Sequence, residues 1–252
     1  MKKEEIKIEI REVVTLEEFR ICSDLQKEVF ALPEIEVSPV RHFVITKNSG
    51  GFTLAAFAEG KIIGFGLSMA GMRGTERFFY SHLTAVVKGF QNSGIGAKLK
   101  WAQRDFALAR DVKYIKWTFQ PVLPRNAFFN LNRLGAVIEQ YSPKFYGTDY
   151  PNLRGEVERL GLDSDRLIAE WHLDSEKVTA LSKGENFSET ARVVKTIEIP
   201  PNWTDMVKTD LKTAIAEQTR VKHEFQAAFA EGLICREFER SDTNPKYLLS
   251  ER

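Results

Sequence analysis

The run LTAVVKGFQNSGIGAKLK, Leu83 to Lys100, constrains the fold more than any other stretch of the chain. A strand-like segment, Phe79 to Val87, enters the short turn Lys88-Gly89-Phe90 and then Gln91-Asn92-Ser93-Gly94-Ile95-Gly96. A helical pattern follows and continues to about Arg110. The first turn of a helix carries N–H groups with no partner inside the helix. Those donors, with the positive end of the helix dipole, make an anion site. Gly94 and Gly96 lack a Cβ, so a phosphate can approach the backbone and unusual dihedrals cost little. The dinucleotide fingerprint G-x-G-x-x-G is absent from this loop, and so is the Gly-Lys-Ser/Thr of a P-loop. A plainer alternative stays open on these residues alone: the glycines make a tight strand-to-helix turn and nothing more.

Composition narrows the remaining classes. The 252 residues suffice for one large domain, or for a domain with a smaller companion. A 43% hydrophobic and 28% charged content is ordinary for a globular chain. The formal net charge of +1 advertises neither a nucleic acid nor a membrane surface as partner. Cys22 and Cys235 lie far apart, each in a periodic segment, and read as reduced core residues of a cytoplasmic protein. The start, MKKEEIKIEIRE, has no apolar core of a signal peptide, and no apolar run approaches a membrane span.

The elements are then read in order. Ile6, Ile8 and Ile10 alternate with charges as a half-buried strand. Thr15-Leu16-Glu17-Glu18 is a capping box, and the helix it opens ends before Pro33. A short helix spans Pro39 to about Lys47. Phe52–Ala58 and Lys61–Ala70 form a hairpin about Glu59-Gly60, followed by a polar connection from Met72 to Arg77. After the glycine loop, the helix is expected to bury Ile95, Leu99, Ala102, Phe106 and Ala109, with Lys98, Arg104 and Asp105 outside; its charges, Lys98, Lys100 and Arg104 among them, read mostly as a solvated face, against a role in holding an anionic cofactor. Tyr114–Phe119 is a strand, Asn126–Leu134 a short helix stopped by Gly135, and Ala136–Tyr141 a further strand. A polar connection, Ser142 to Asp165, leads to a closing strand at Leu167–Leu173. Beyond it come a linker (Asp174–Thr190), a strand (Ala191–Ile199), one long helix (Trp203–Ala230), and two last strands at Leu233–Arg240 and Tyr247–Leu249.

The loop resembles the acyl-CoA loop of the GNAT superfamily, the GCN5-related N-acetyltransferases. Gln91, Gly94 and Gly96 match the pattern Gln/Arg-x-x-Gly-x-Gly/Ala, and Ala85-Val86 stands five residues ahead of Gln91. Element order agrees from about Ile6 to Leu173. Further features are similar to a little-characterised bacterial and archaeal GNAT subgroup: Tyr80-Ser81-His82-Leu83, Gln103-Arg104, Trp117-Thr118-Phe119-Gln120-Pro121, Asn126-Ala127, Asn130-Leu131, Leu134-Gly135-Ala136, Tyr146-Gly147, Asp165-Arg166 and Trp171. That subgroup usually has an acidic residue where Gln120 stands. The resemblance implies an α/β (α+β) GNAT fold, a mixed central sheet flanked by helices. It implies a GNAT-like acyl-CoA-binding domain over residues 1–173. Residues 174–252 exceed that domain; with no second glycine loop they read as a C-terminal strand-helix-strand extension packed on it, against a reduced second GNAT-like half.

The resemblance also implies a chemistry: an acceptor amine attacks the thioester of acetyl-CoA, or of another acyl-CoA, with no metal. Backbone groups at Thr84, Ala85 and Val86 are expected to pair with pantetheine. Gln91, Asn92, Ser93, Gly94, Ile95, Gly96 and Ala97 are expected to hold the pyrophosphate, and Asn126 to contact the pantetheine or thiol end. His82 is the candidate base, since a histidine takes a proton near neutral pH, and alternation sets His82, Thr84 and Val86 on one face. A hydrogen-bonded core histidine is the plain alternative. Tyr141 and Tyr146 are further catalytic candidates, with packing as their alternative. Asp149 and Asp163 are candidates for a cationic acceptor, against ordinary surface carboxylates. His42, His172 and His223 have no sequence partner that suggests a metal. Leu131 stands where many family members carry the tyrosine that protonates the leaving thiolate. Two function classes follow: an N-acyltransferase acting on a small-molecule or protein amine, and a CoA-binding or regulatory module that has lost catalysis. A homodimer is compatible with either, and so is a third reading in which the tail mediates assembly.

Overall fold

A computed structural model describes residues 7–150 and 160–252, so Ile6 and the middle of the Ser142–Asp165 connection lie outside the described residues. Packing divides the described chain into two compact units, residues 7–115, and residues 116–150 with 160–252.

The first unit is an antiparallel sheet of β1 (Ile8–Glu12), β2 (Phe52–Ala58), β3 (Lys61–Arg73) and β4 (Glu76–Val86), in that order. β1 lies at the end of the order, and its residues alternate between half-buried and exposed. β2, FTLAAFA, is buried at all seven positions because helices cover both faces of the sheet. On one face lie α1 (Leu16–Phe30) and α2 (Val40–Asn48), where Phe19, Cys22, Leu25 and Phe43 pack on Ala55, Phe57, Phe65, Leu67 and Ala85. On the other lies α3 (Ile95–Leu108), whose Phe106 ring meets Phe52 at 3.9 Å between centroids. The close approach of α3 needs Gly66, since a Cβ there would stand 2.8 Å from Gln103 Nε2.

Local signals set the boundaries. Thr15 caps α1 in a complete capping box with Glu18. Glu59 and Gly60 both take positive φ in the β2–β3 turn, as that hairpin requires. The expected polar connection at Met72–Arg77 is instead a tight turn at Gly74-Thr75, because the β3–β4 ladder continues to Arg73↔Glu76. The expected face of α3 is also shifted. Ile95 and Leu99 are buried, but so are Lys100, Gln103 and Ala107, while Ala102 and Phe106 are half-buried and Ala109 is exposed. Lys100 therefore leaves the solvated face because Ser81, Gln103 and Ser68 supply polar partners beneath the sheet.

β5 (Tyr114–Phe119) passes from the first unit into the second. The second unit continues with α4 (Pro124–Phe128), a five-residue π turn at Phe129–Arg133, β6 (Val137–Ser142) and β7 (Arg166–His172). The expected linker after residue 174 holds a helix, α5 (Glu176–Ser182), because Ser175 caps it through Val178 N–H and Val178 is buried. β8 (Val193–Glu198), β9 (Ile234–Glu239) and β10 (Lys246–Ser250) complete an order β5-β7-β6-β9-β10-β8. The single long helix expected from Trp203 to Ala230 is two, α6 (Trp203–Thr209) and α7 (Leu211–Ala230). The break is at Asp210, whose non-helical backbone frees its carboxylate to accept from Thr213 N–H at 3.1 Å and cap α7. Ala214, Val221, Phe225 and Ala228 line the buried face of α7, and Phe225 packs on Tyr141 and Tyr247.

Candidate active site

The glycine loop is built as a cradle of backbone donors. A single 3₁₀ turn, Lys88–Phe90, leads out of β4. Gln91 then folds back, and its Nε2 donates to Val86 O at 2.9 Å, tying the loop to the end of the strand. Ser93 Oγ donates to Phe90 O at 2.5 Å. Asn92 (φ 64°) and Gly94 (φ 86°) are both left-handed, and this curls the chain so that α3 starts directly on the loop. Lys98 N–H is the first to close onto the helix, at Gly94 O, which leaves Ile95, Gly96 and Ala97 N–H directed out of the first turn. No side chain caps that turn. A Cβ added at Gly89, Gly94 or Gly96 would meet nothing within 4 Å, so open space lies over the cradle. Bare amides, a helix dipole and open space are what a pyrophosphate needs.

The strand that feeds the loop is fixed on one side by β3. Val87 N–H donates to Ile63 O at 2.9 Å, and Ala85 pairs with Phe65 in the same ladder. Alternation along an antiparallel strand then turns the backbone groups of Ala85 and Val87 toward β3, and those of Thr84 and Val86 away from it. Val86 O, on the side away from β3, accepts from Gln91.

Upstream the ladder slips by one residue. Leu67 pairs with Leu83 and Ser68 with Ser81, so His82 has no partner across the strand and forms a β-bulge. Uniform alternation therefore fails here, and His82 does not share a face with Thr84. Thr84 Oγ1 lies on the α3 side with Gly66 and Gln103. His82 turns to the α2 side, where its Nε2 lies 3.3 Å from Ser38 Oγ and its ring meets His42 edge-on at 5.3 Å. Burial, and then the neighbouring His42, hold the His82 imidazole down at about 4, so it is neutral at physiological pH. Burial lowers His42 as well. Ser38 is itself clamped: its N–H donates to Gln26 Oε1 (2.9 Å), and its carbonyl accepts from Gln26 Nε2 (3.2 Å) and Ser23 Oγ (3.0 Å). Sequence reading missed Ser38, Gln26 and His42, because their proximity to His82 arises only when α1 and α2 fold onto the sheet. Directly behind the bulge, Lys100 Nζ donates to Ser81 Oγ at 2.8 Å, and burial brings that amine down to about 7.

The remaining candidates lie in the second unit. Asn126 is half-buried in the first turn of α4, where its N–H donates to Leu123 O. Tyr141 is buried and gives its hydroxyl to Asp165 Oδ2 at 2.7 Å; burial and that carboxylate raise its phenol well above the ordinary range. Tyr146 is 41% exposed and stacks on Tyr150. Leu131 is fully buried among core residues. Asp149 accepts from Gly161 N–H, and Asp163 from Thr148 Oγ1, with Lys144 and Lys222 nearby.

With this geometry in view, the likenesses to known proteins are specific. Residues 15–135 match the family model described as Acetyltransferase (GNAT) family. That match spans the capping box of α1 through the glycine after α4, and the chain carries a GNAT-family acetyltransferase domain. Three solved structures share the fold. One is a GNAT-family acetyltransferase from Desulfovibrio desulfuricans (14% identity, 66% of this chain and 99% of that one, TM-score 0.52). The others are the ribosomal-protein-S18-alanine N-acetyltransferase from Escherichia coli (15%, 67% and 96%, 0.52) and an aminoglycoside 6′-acetyltransferase type Ii (15%, 67% and 99%, 0.51). Each is covered almost end to end, with about a third of the present chain left over. No curated protein matches the sequence. The expected fold class, α+β with a mixed sheet flanked by helices, is the one observed. Among the described residues no helix is long and apolar enough to cross a membrane.

Proposed function

We propose that the protein is an acyl-CoA-dependent N-acyltransferase that moves an acetyl group from acetyl-CoA to a primary amine of a small molecule or a protein. The observation that carries this reading is the cradle at the start of α3, with three outward amides and open space over Gly94 and Gly96. In it, Gln91, Asn92, Ser93, Gly94, Ile95, Gly96 and Ala97 hold the pyrophosphate. Backbone groups at Thr84, Ala85 and Val86 pair with the pantetheine arm, and Asn126 serves its thiol end. The bound thioester supplies the activated acyl group and a leaving thiolate. The chain's own part is to orient and to manage a proton. His82 accepts a hydrogen bond from the incoming amine. Its lowered basicity suits it to take the proton as the N–C bond forms, when the nitrogen becomes acidic, rather than from a free ammonium. Tyr141 and Tyr146 are the further catalytic candidates.

Two solved neighbours are named for acetylating an aminoglycoside and a protein alanine, which supports an amine acceptor without choosing its size. The extension is proposed to be residues 174–252, as the third of the chain beyond the solved folds supports. The two free, buried cysteines support a cytoplasmic setting. A second reading, a CoA-binding module without transfer, is favoured by Leu131, which leaves no phenol where the family's tyrosine stands. Thiol release from acetyl-CoA across a panel of amines decides between them. Amine-dependent release supports transfer; CoA binding without release from any amine supports the module.

A further inference from the structure

We propose that Ser38 is a positioning residue that holds His82 in one tautomer, its hydroxyl oxygen accepting the ring Nε2–H and leaving Nδ1 bare as the proton acceptor. This inference rests on the reading of His82 as the base for the acceptor amine.

The argument starts from which ring nitrogen is free. Nε2 faces Ser38 Oγ at 3.3 Å, so Nδ1 is the nitrogen left to meet an amine. A base needs its lone pair at that nitrogen. The ring proton must then sit on Nε2, and Ser38 Oγ must accept it. A hydroxyl can rotate to donate or accept, so its value as a selector depends on how firmly it is placed. Ser38 is 7% exposed, and its peptide groups are gripped at both ends by the carboxamide of Gln26, itself fully buried on α1. Ser23 adds a third bond to the same carbonyl. Gln26 thus spends both ends of its side chain on one residue, which holds the Ser38 backbone in place with its Oγ 3.3 Å from the His82 ring.

The bulge is the other half of the device. An extra residue in β4 turns His82 toward α2, where the clamp is, instead of leaving it on the α3 side with Thr84. The titratable group that faces the ring is His42 of α2, and the contributions of Ser38 and Gln26 are uncharged. With no carboxylate facing the ring among the described residues, a placed hydroxyl is the available selector. The arrangement parallels the way a second hydrogen bond sets the working nitrogen of histidines in other sites.

The test reads the tautomer and the rate separately. Proton–nitrogen correlation spectra of 15N-histidine-labelled protein, assigned with His82→Gln, are expected to show His82 protonated at Nε2 at pH 7. In Ser38→Ala the ring is expected to become a tautomer mixture. kcat/KM for the amine falls about 10- to 100-fold, as for loss of an orienting partner, and acetyl-CoA affinity changes less than twofold. Ser38→Thr, which keeps the hydroxyl, is expected to restore both. A wild-type ring protonated at Nδ1 overturns the inference, as does an Ala variant with unchanged tautomer and rate. The wild-type spectrum decides the point even if the Ala variant does not fold. Because the tautomer is read without substrate, failure to acetylate any amine counts against the transfer reading and not against the clamp.

Discussion

Ser81 and His82 are neighbours on β4 and serve opposite faces of one sheet. Ser81 Oγ accepts from the buried Lys100 Nζ on the α3 side, while His82 Nε2 meets Ser38 Oγ on the α1–α2 side. Two titratable groups with lowered proton affinity thus flank a single strand, two to three residues ahead of the backbone proposed to hold the cofactor.

His82 should make stability depend on pH in the acid range. Its folded-state pKa, about 4, lies below the ordinary 6.5, so the unfolded chain binds the proton more readily between those values. Stability therefore falls as pH drops from 6.5 toward 4, by on the order of 3 kcal/mol in full. Urea unfolding at pH 7 and pH 5 is expected to show the decline, and His82→Gln to reduce it. An undiminished slope in the variant would remove His82 as its source.

The same lowering predicts the rate profile. A ring neutral throughout pH 6 to 8 contributes no imidazole limb to kcat/KM there. The acid limb should instead move with the ionisation of whichever amine is used. Profiles for two acceptors of different basicity check this, and a shared limb near 6.5 would contradict it.

Lys100 acts in the opposite range. Burial brings it from 10.5 to about 7, so the unfolded chain holds more protons between those values and stability rises with pH across them. The full span is on the order of 5 kcal/mol. Lys100→Met should flatten the rise and leave stability at pH 7 equal or higher, as when other buried charges are exchanged for apolar groups of similar volume. A loss above about 1 kcal/mol at pH 7 would mean that the polar cluster with Ser81 outweighs the cost of burial.

Thr15→Ala removes the acceptor for Glu18 N–H at the start of α1. The expected cost is about 1 kcal/mol, with acetyl-CoA affinity unchanged, because the cap lies far in sequence from the cradle. Chemical denaturation and calorimetry read the two effects.

Features that depend on neighbouring residues are legible in the sequence itself. The capping box, the Glu59-Gly60 hairpin, the limits of β5 and the strand–loop–helix around Gly94 all follow from short-range chemistry. The α7 cap is legible in principle, since Asp210 with Thr213 is a cap signal; helical periodicity on both sides hides it. What escapes are properties set by residues distant in sequence. Lys100 reads as a solvated charge until Ser81 is placed beneath it. His82 follows simple alternation until β3 and β4 slip by one residue. His42 has no partner until α2 lies on the sheet and brings it to a residue forty positions away.

The central claim is the acyl-CoA cradle, and calorimetric titration of acetyl-CoA into the wild-type protein and Gly94→Val tests it most directly. Gly94 sits at φ 86°, a conformation a β-branched residue adopts only under strain, and its amide region is the proposed pyrophosphate seat. The account predicts micromolar binding to the wild type, weakened by about tenfold or more in the variant while its fold persists. Absence of binding to the wild type, or equal affinity in both proteins, would contradict it.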